Sequence, residues 1–162
     1  MRGIRMTRAL RRGAIALLWG FAVQFVLGMT LNLFVTIPAH HPGAGGAEYF
    51  ATSLASLGWA LAFGGGPALF VHAWLALLLS AGCLALFIAS LTPAGRGWRW
   101  LSGIATLFTL GATFNGMSFL DYNEDFSSMI MAACWLIAVG ALVAGLVRRG
   151  ATAEPRPMLL RR

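Results

Sequence analysis

The sequence predicts an all-α integral membrane protein: a four-transmembrane-helix bundle with both termini in the cytoplasm (N-in/C-in), plus a short non-spanning helix in the first outer loop. Three observations carry this. Four long apolar runs divide the 162 residues. Only 10% of the residues are charged and 59% are hydrophobic, with a mean hydropathy of +0.77. A soluble domain would carry roughly 25% charged residues, so this chain needs lipid as its solvent. Finally, threading the runs back and forth through a bilayer puts every basic residue on one side. Arg2, Arg5, Arg8, Arg11 and Arg12 precede the first run, Arg96 and Arg99 lie between the second and third, and Arg148, Arg149, Arg156, Arg161 and Arg162 follow the fourth. Glu48, Asp121, Glu124 and Asp125 fall on the opposite side, and only Glu154 joins the arginines. Positive charge retained in the cytoplasm is the established determinant of orientation.

The elements follow in order. Residues 1–13 are a cytoplasmic basic tail. Residues 14–37 form the first span, interrupted only by Gln24 and Asn32. That run exceeds the 7–15 residues, roughly, of a signal-peptide core and lacks a small-residue exit, which argues against cleavage. His40 to Gly46 is a turn-rich start to the outer loop. Residues 50–63 are apolar but too few to span, so they form an interfacial helix. Gly64, Gly65 and Gly66 break it from the second span, residues 67–91, with Pro67 suited to a first helical turn. A turn containing Pro93, Gly95 and Gly97 leads to the third span, residues 98–120, whose start is marked by the boundary residues Trp98 and Trp100. An acidic turn precedes the fourth span, residues 126–147. Residues 148–162 are a disordered basic tail. The transmembrane domain is thus 14–147.

Small residues supply close-packing faces: Gly20, Gln24 and Gly28 at four-residue steps, then Gly140 with Ala144 and Ala141 with Gly145. Such stripes serve the bundle's own packing or an interface with a membrane partner subunit or a second copy. The net charge of +7 comes from arginines that flank spans. They suit anionic headgroups on the cytoplasmic face rather than nucleic acid, which needs a contiguous basic face. An Arg-only, Ala- and Gly-rich composition fits a high-GC bacterial source, and hence the plasma (inner) membrane.

The polar residues gather at the outer side. Asn32, His72 and Asn115 each lie five residues inside the outer end of a different span, ~7.5 Å deep at the helical rise. Glu48, Tyr49 and Asp121 come from the loops above. These six define an outward-facing polar pocket. An ionisable residue within a span faces the interior or a cavity, because lipid leaves its nitrogens unsatisfied. For His72 three roles compete: a neutral imidazole bonded to Asn32, Asn115 or a backbone carbonyl; a ligand to haem or a transition metal, partnered by His40 or His41; and a proton-handling or quinone-binding group. Asp121 to Asp125 imitates the start of a calcium loop, but Phe126 replaces its glycine and Ala132 its terminal acid. No nucleophile elbow, phosphate loop or pair of intramembrane carboxylates is present. The sequence therefore reads as a non-catalytic accessory or binding subunit built around the His72 layer. The alternatives are a membrane redox or metal protein with haem, copper or zinc at His72 and His40 or His41, and a small transporter or channel subunit.

Overall fold

The computed structural model describes residues 2–46, 48–122 and 125–151. Among these residues the chain is helical throughout its regular structure: α1 (Arg2–Phe34), α2 (Tyr49–Leu61), α3 (Gly66–Ser90), α4 (Arg99–Tyr122) and α5 (Asp125–Ala151), with one 3₁₀ turn at Pro93–Gly95. Four stretches are long and apolar enough to cross a membrane: Thr7–Phe34, Gly66–Ser90, Arg99–Tyr122 and Phe126–Arg148. Within each, only 17–28% of the apolar window is buried inside the protein. The rest, including Trp19, Val26, Leu78, Leu107 and Leu136, faces outward, as the lipid-facing surface of membrane-crossing helices does. The protein is accordingly multi-pass. Helix α2 is too short to cross, since its 13 residues reach ~20 Å at the helical rise, against a hydrocarbon core of about 30 Å.

The long helices alternate in direction, and their register can be followed residue by residue. Gly13 meets Leu86, Gly82 meets Leu17, Gly20 meets Leu79 and Gly28 meets His72, so each step up α1 is matched by an equal step down α3. The glycines of the α1 stripe therefore serve packing within the bundle. Helix α4 lies against α3 through hydroxyl bonds, from Ser102 to Ser90, Thr106 to the Cys83 carbonyl, and between Ser80 and Thr113. It pairs most extensively with α5, while α5 closes the ring against α1 along a narrower strip. Both cysteines are free thiols.

Two separate cores result. One occupies the end that carries the 92–98 turn and is built on Leu10, Ala14, Cys83, Leu86, Trp98 and Leu142, among others. The other lies under α2 and holds Ala60, Leu69, Ala73 and Leu120.

Three boundaries differ from the sequence reading. Helix α1 runs back through the basic segment to Arg2, because Leu10 and Ala14 are buried in the first core and Arg, Leu, Met and Ala favour helix. It stops at Phe34 rather than at residue 37, since the β-branched Val35-Thr36-Ile37 precedes Pro38, which disfavours helix in the residue before it. Helix α5 continues to Ala151, so the tail expected to be disordered from 148 begins as helix. Residues 152–162 of that tail, and Asn123 and Glu124 of the acidic turn, lie outside the described residues. Helix α2 ends in a Schellman-type closure, with Gly64 N donating to Trp59 O at 2.9 Å and Phe63 N to Ala60 O at 3.3 Å. Phe63 takes the left-handed position, at φ 71°, where glycine is usual.

Candidate functional site

His72 lies on the second turn of α3, facing α1. Its partner is Gln24. Gln24 Nε2 stands 3.1 Å from His72 Nε2 and 3.1 Å from the His72 carbonyl oxygen. A carbonyl only accepts, so the atom facing it is the amide NH₂ group, and its other hydrogen falls to the imidazole. His72 Nε2 is then the acceptor, and the ring proton resides on Nδ1. Gly28, one turn above Gln24, makes room for the ring, since a Cβ there would lie 3.2 Å from His72 Cε1. Both hydrogens of the Gln24 amide are thereby used. What remains is one donor and one acceptor, His72 Nδ1–H and Gln24 Oε1, both buried and both without a hydrogen-bond partner.

Both residues line a cavity of about 400 Å³ between the two cores. All four long helices contribute to it, with Leu57 of α2 and residues 35–37, which follow α1. Its walls are mostly apolar, including Phe21, Phe25, Met29, Leu79, Met131 and Trp135, and no Asp, Glu, Lys or Arg is among them. Trp135 Nε1 donates to the Phe21 carbonyl at 3.0 Å, and its ring stands 5.0 Å from that of Phe25, joining α5 to α1 at the cavity wall.

The residues expected to form one polar layer take different places. Asn32 lines the same cavity as His72, at its exposed rim. Asn115 is not among the lining residues, and its Nδ2 donates to Gly111 O of its own helix at 2.8 Å. Glu48 is exposed, at the position preceding α2, and its side chain makes no capping bond. Tyr49 donates to Ser118 Oγ at 3.0 Å and stacks on Tyr122, with ring centroids 5.9 Å apart.

Asp121 is 4% exposed at the end of α4 and acts as a staple. Its Oδ1 accepts from Gly45 N at 3.0 Å, an N–H shared with the Asp121 backbone carbonyl at 3.1 Å, and its Oδ2 from Thr52 Oγ1 at 2.7 Å and Ser53 Oγ at 3.1 Å. The carboxylate thus ties the first loop and the first turn of α2 to α4.

His41 stacks on Trp59 at 4.4 Å, with Nε2 2.9 Å from Leu120 O and Nδ1 3.1 Å from Pro42 O, while His40 is exposed. Among the described residues no three His, Cys, Asp or Glu side chains come together in a group able to hold a metal.

The residue that the sequence reading left out of the site is Gln24. Its signal was present, as a polar side chain within an otherwise apolar span, but it was read as part of a packing stripe. The depth argument also took all spans to end flush at residue 37 or its equivalent. With α1 ending at Phe34 and Gly28 opposite His72, Asn32 and Gln24 stand one turn above and one turn below the contact. Gln24, one methylene longer, makes the bond. No protein-family model, no curated protein and no solved structure matches the chain.

Proposed function

We propose that this protein is a non-catalytic binding subunit of the bacterial inner membrane, with both termini cytoplasmic, that holds a lipid-soluble small molecule in the cavity beside His72. The observation that carries this reading is a largely apolar cavity between four long apolar helices, with His72 and Gln24 in its wall. The cavity of about 400 Å³ falls within the roughly 300–1,000 Å³ of small-molecule sites, which are mostly apolar with a few convergent polar groups. His72 is the one titratable side chain on the wall, which holds no carboxylate and no cysteine, and this favours binding over catalysis.

The test uses the full chain in lipid nanodiscs. Its organic extract is analysed by mass spectrometry, and its thermal stability is followed against a panel of lipid-soluble compounds. At least one compound should raise Tm. His72→Phe should remove that rise while circular dichroism shows the helices intact. If nothing co-purifies and no compound raises Tm, the binding reading fails.

A further inference from the structure

The cavity has a depth, an exposed edge and an uncharged wall, and together they narrow its occupant to one class. This inference rests on the binding function proposed above. At one end, Leu57, Leu69 and Leu120 of the wall belong to the core beneath α2. At the other, Phe21 and Leu79 belong to the core that carries Trp98. Between these ends the wall runs from Phe21 to Asn32 on α1, from Leu69 to Leu79 on α3 and from Thr109 to Leu120 on α4. Each stretch is a rise of about 15–17 Å, half of a hydrocarbon core of about 30 Å. The cavity is therefore as deep as the acyl chains of one leaflet, and the first core closes it at its inner end.

The exposed edge runs along that depth. The wall residues of α3 and α4 are all buried or half-buried. The exposed ones are Phe25, Met29 and Asn32 of α1, Thr36 just after it, and Ala132 of α5. Phe25, Met29 and Asn32 follow one another at helical spacing, one above the next on the same face. Helices α1 and α5 also share the narrower seam of the ring. The edge is thus a slit along two membrane-crossing helices, not a hole at one level. A hydrocarbon chain lying along the membrane normal needs a slit of that length to enter sideways, and a compact guest does not.

The wall holds no Asp, Glu, Lys or Arg. A charged head drawn inside would lose its water without gaining a partner, so the head stays outside. The exposed polar side chains of the wall are Asn32 and Thr36, whereas Phe25 and Met29, deeper along the slit, are apolar. Polar at the α2 end and hydrocarbon below is the polarity of a lipid in the leaflet on that side. We propose that the cavity takes one acyl chain of a phospholipid from the leaflet on the α2 side. The chain enters between α1 and α5 while the head remains outside, beside Asn32.

Photo-crosslinking of the full chain tests this. Nanodiscs of phosphatidylcholine include a phosphatidylcholine with a diazirine at the end of one acyl chain, and the labelled residues are mapped by mass spectrometry. Leu78 faces outward and serves as the internal reference. Ala76 and Leu79 of the same helix line the cavity and should be labelled alongside it. With the diazirine moved close to the ester, the inner label should shift from Leu79 toward Leu69. Met29→Trp and Ala132→Trp each narrow one lip of the slit. Each should lower the labelling of Ala76 and Leu79, relative to Leu78, at least tenfold. Because the readout is a ratio within one sample, a general loss of stability does not imitate it. Labelling confined to outward-facing residues overturns the proposal, and so does a ratio unchanged in both lip variants. A fatty alcohol with the same diazirine chain distinguishes the source. If it alone labels Ala76 and Leu79, the phospholipid assignment falls and the binding function stands. If neither probe labels them while another lipid-soluble compound raises Tm, the acyl-chain assignment falls and the binding function again stands. If no compound binds by either readout, the binding function falls as well.

Discussion

A buried carboxylate stands or falls by its hydrogen bonds, and Asp121 has three donors on its two oxygens and, among the described residues, no cation beside it. The donors serve two structural needs: Gly45 N holds the loop, and Thr52 and Ser53 hold the start of α2. The 2.7 Å bond from Thr52 is the shortest available to that hydroxyl, which has backbone carbonyls at 3.0 and 3.2 Å as its alternatives. Hydrogen bonds to an ionised acceptor are stronger than neutral ones. Asp121→Asn keeps one acceptor oxygen and turns the other into a donor that faces hydroxyls. It should cost about 1–3 kcal/mol, measured by thermal unfolding. Unchanged stability would show that the loop and the start of α2 are held by something else. The sequence marked Asp121 as a pocket residue because it is an acid beside a span, but its role depended on where the 43–46 loop folds, which four glycine and alanine positions do not encode in their side chains. His72 was legible for the opposite reason. A titratable ring in an apolar span must face polar company, and only the identity of that company, Gln24 rather than Asn115, needed the interhelical register.

The helices themselves were written plainly in the sequence, and what it left ambiguous was which faces meet. The fourth span offered two small-residue stripes, and periodicity alone gave no reason to choose between them. The structure turns Ala141 and Gly145 inward and leaves Gly140 exposed. A Cβ on Gly145 would stand 2.6 Å from the Trp98 ring, while one on Gly140 would meet nothing within 4 Å. Trp98 is fully buried between elements and has little room to yield. Gly145→Ala should therefore destabilise the bundle by about 1–3 kcal/mol through overpacking. Gly140→Ala should be neutral or stabilising by up to about 1 kcal/mol, because alanine is the better helix former. Thermal unfolding of the two variants side by side checks this. An equal loss in both would mean that the Gly140 face is also covered, by a second copy or by a partner. The same logic explains why the end of α1 was misplaced. Apolar character continues to Ile37, but hydrophobicity does not report the backbone restriction that Pro38 imposes on what precedes it.

At the scale of the whole molecule, the charge pattern and the packing bear on the same question from independent directions. The arginines near span ends were assigned to one side by sequence counting. The first core brings Leu10, Trp98 and Leu142 together, so the exposed Arg8, Arg11, Arg12, Arg96, Arg99 and Arg148 share one end of the bundle. Helix α2, Glu48 and Asp121 share the other. The proposed orientation places the arginine end in the cytoplasm, where retained positive charge belongs and where anionic headgroups attract each arginine by about 1 kcal/mol. Single cysteines test it, in a background with Cys83 and Cys134 changed to alanine. Gly95 is a poor choice on the cytoplasmic side, because it is buried and a Cβ there would press on the Ser90 backbone. Gly97 and, on the other side, Ala39 are exposed. A membrane-impermeant maleimide added to intact cells should label Ala39→Cys, and should label Gly97→Cys only after permeabilisation. The reverse pattern would turn the molecule over and put the His72 cavity in the cytoplasmic half. Labelling of both from outside would mean that α2 crosses as a fifth span, which its length of ~20 Å argues against because spanning would leave backbone groups unpaired in a hydrocarbon core of about 30 Å.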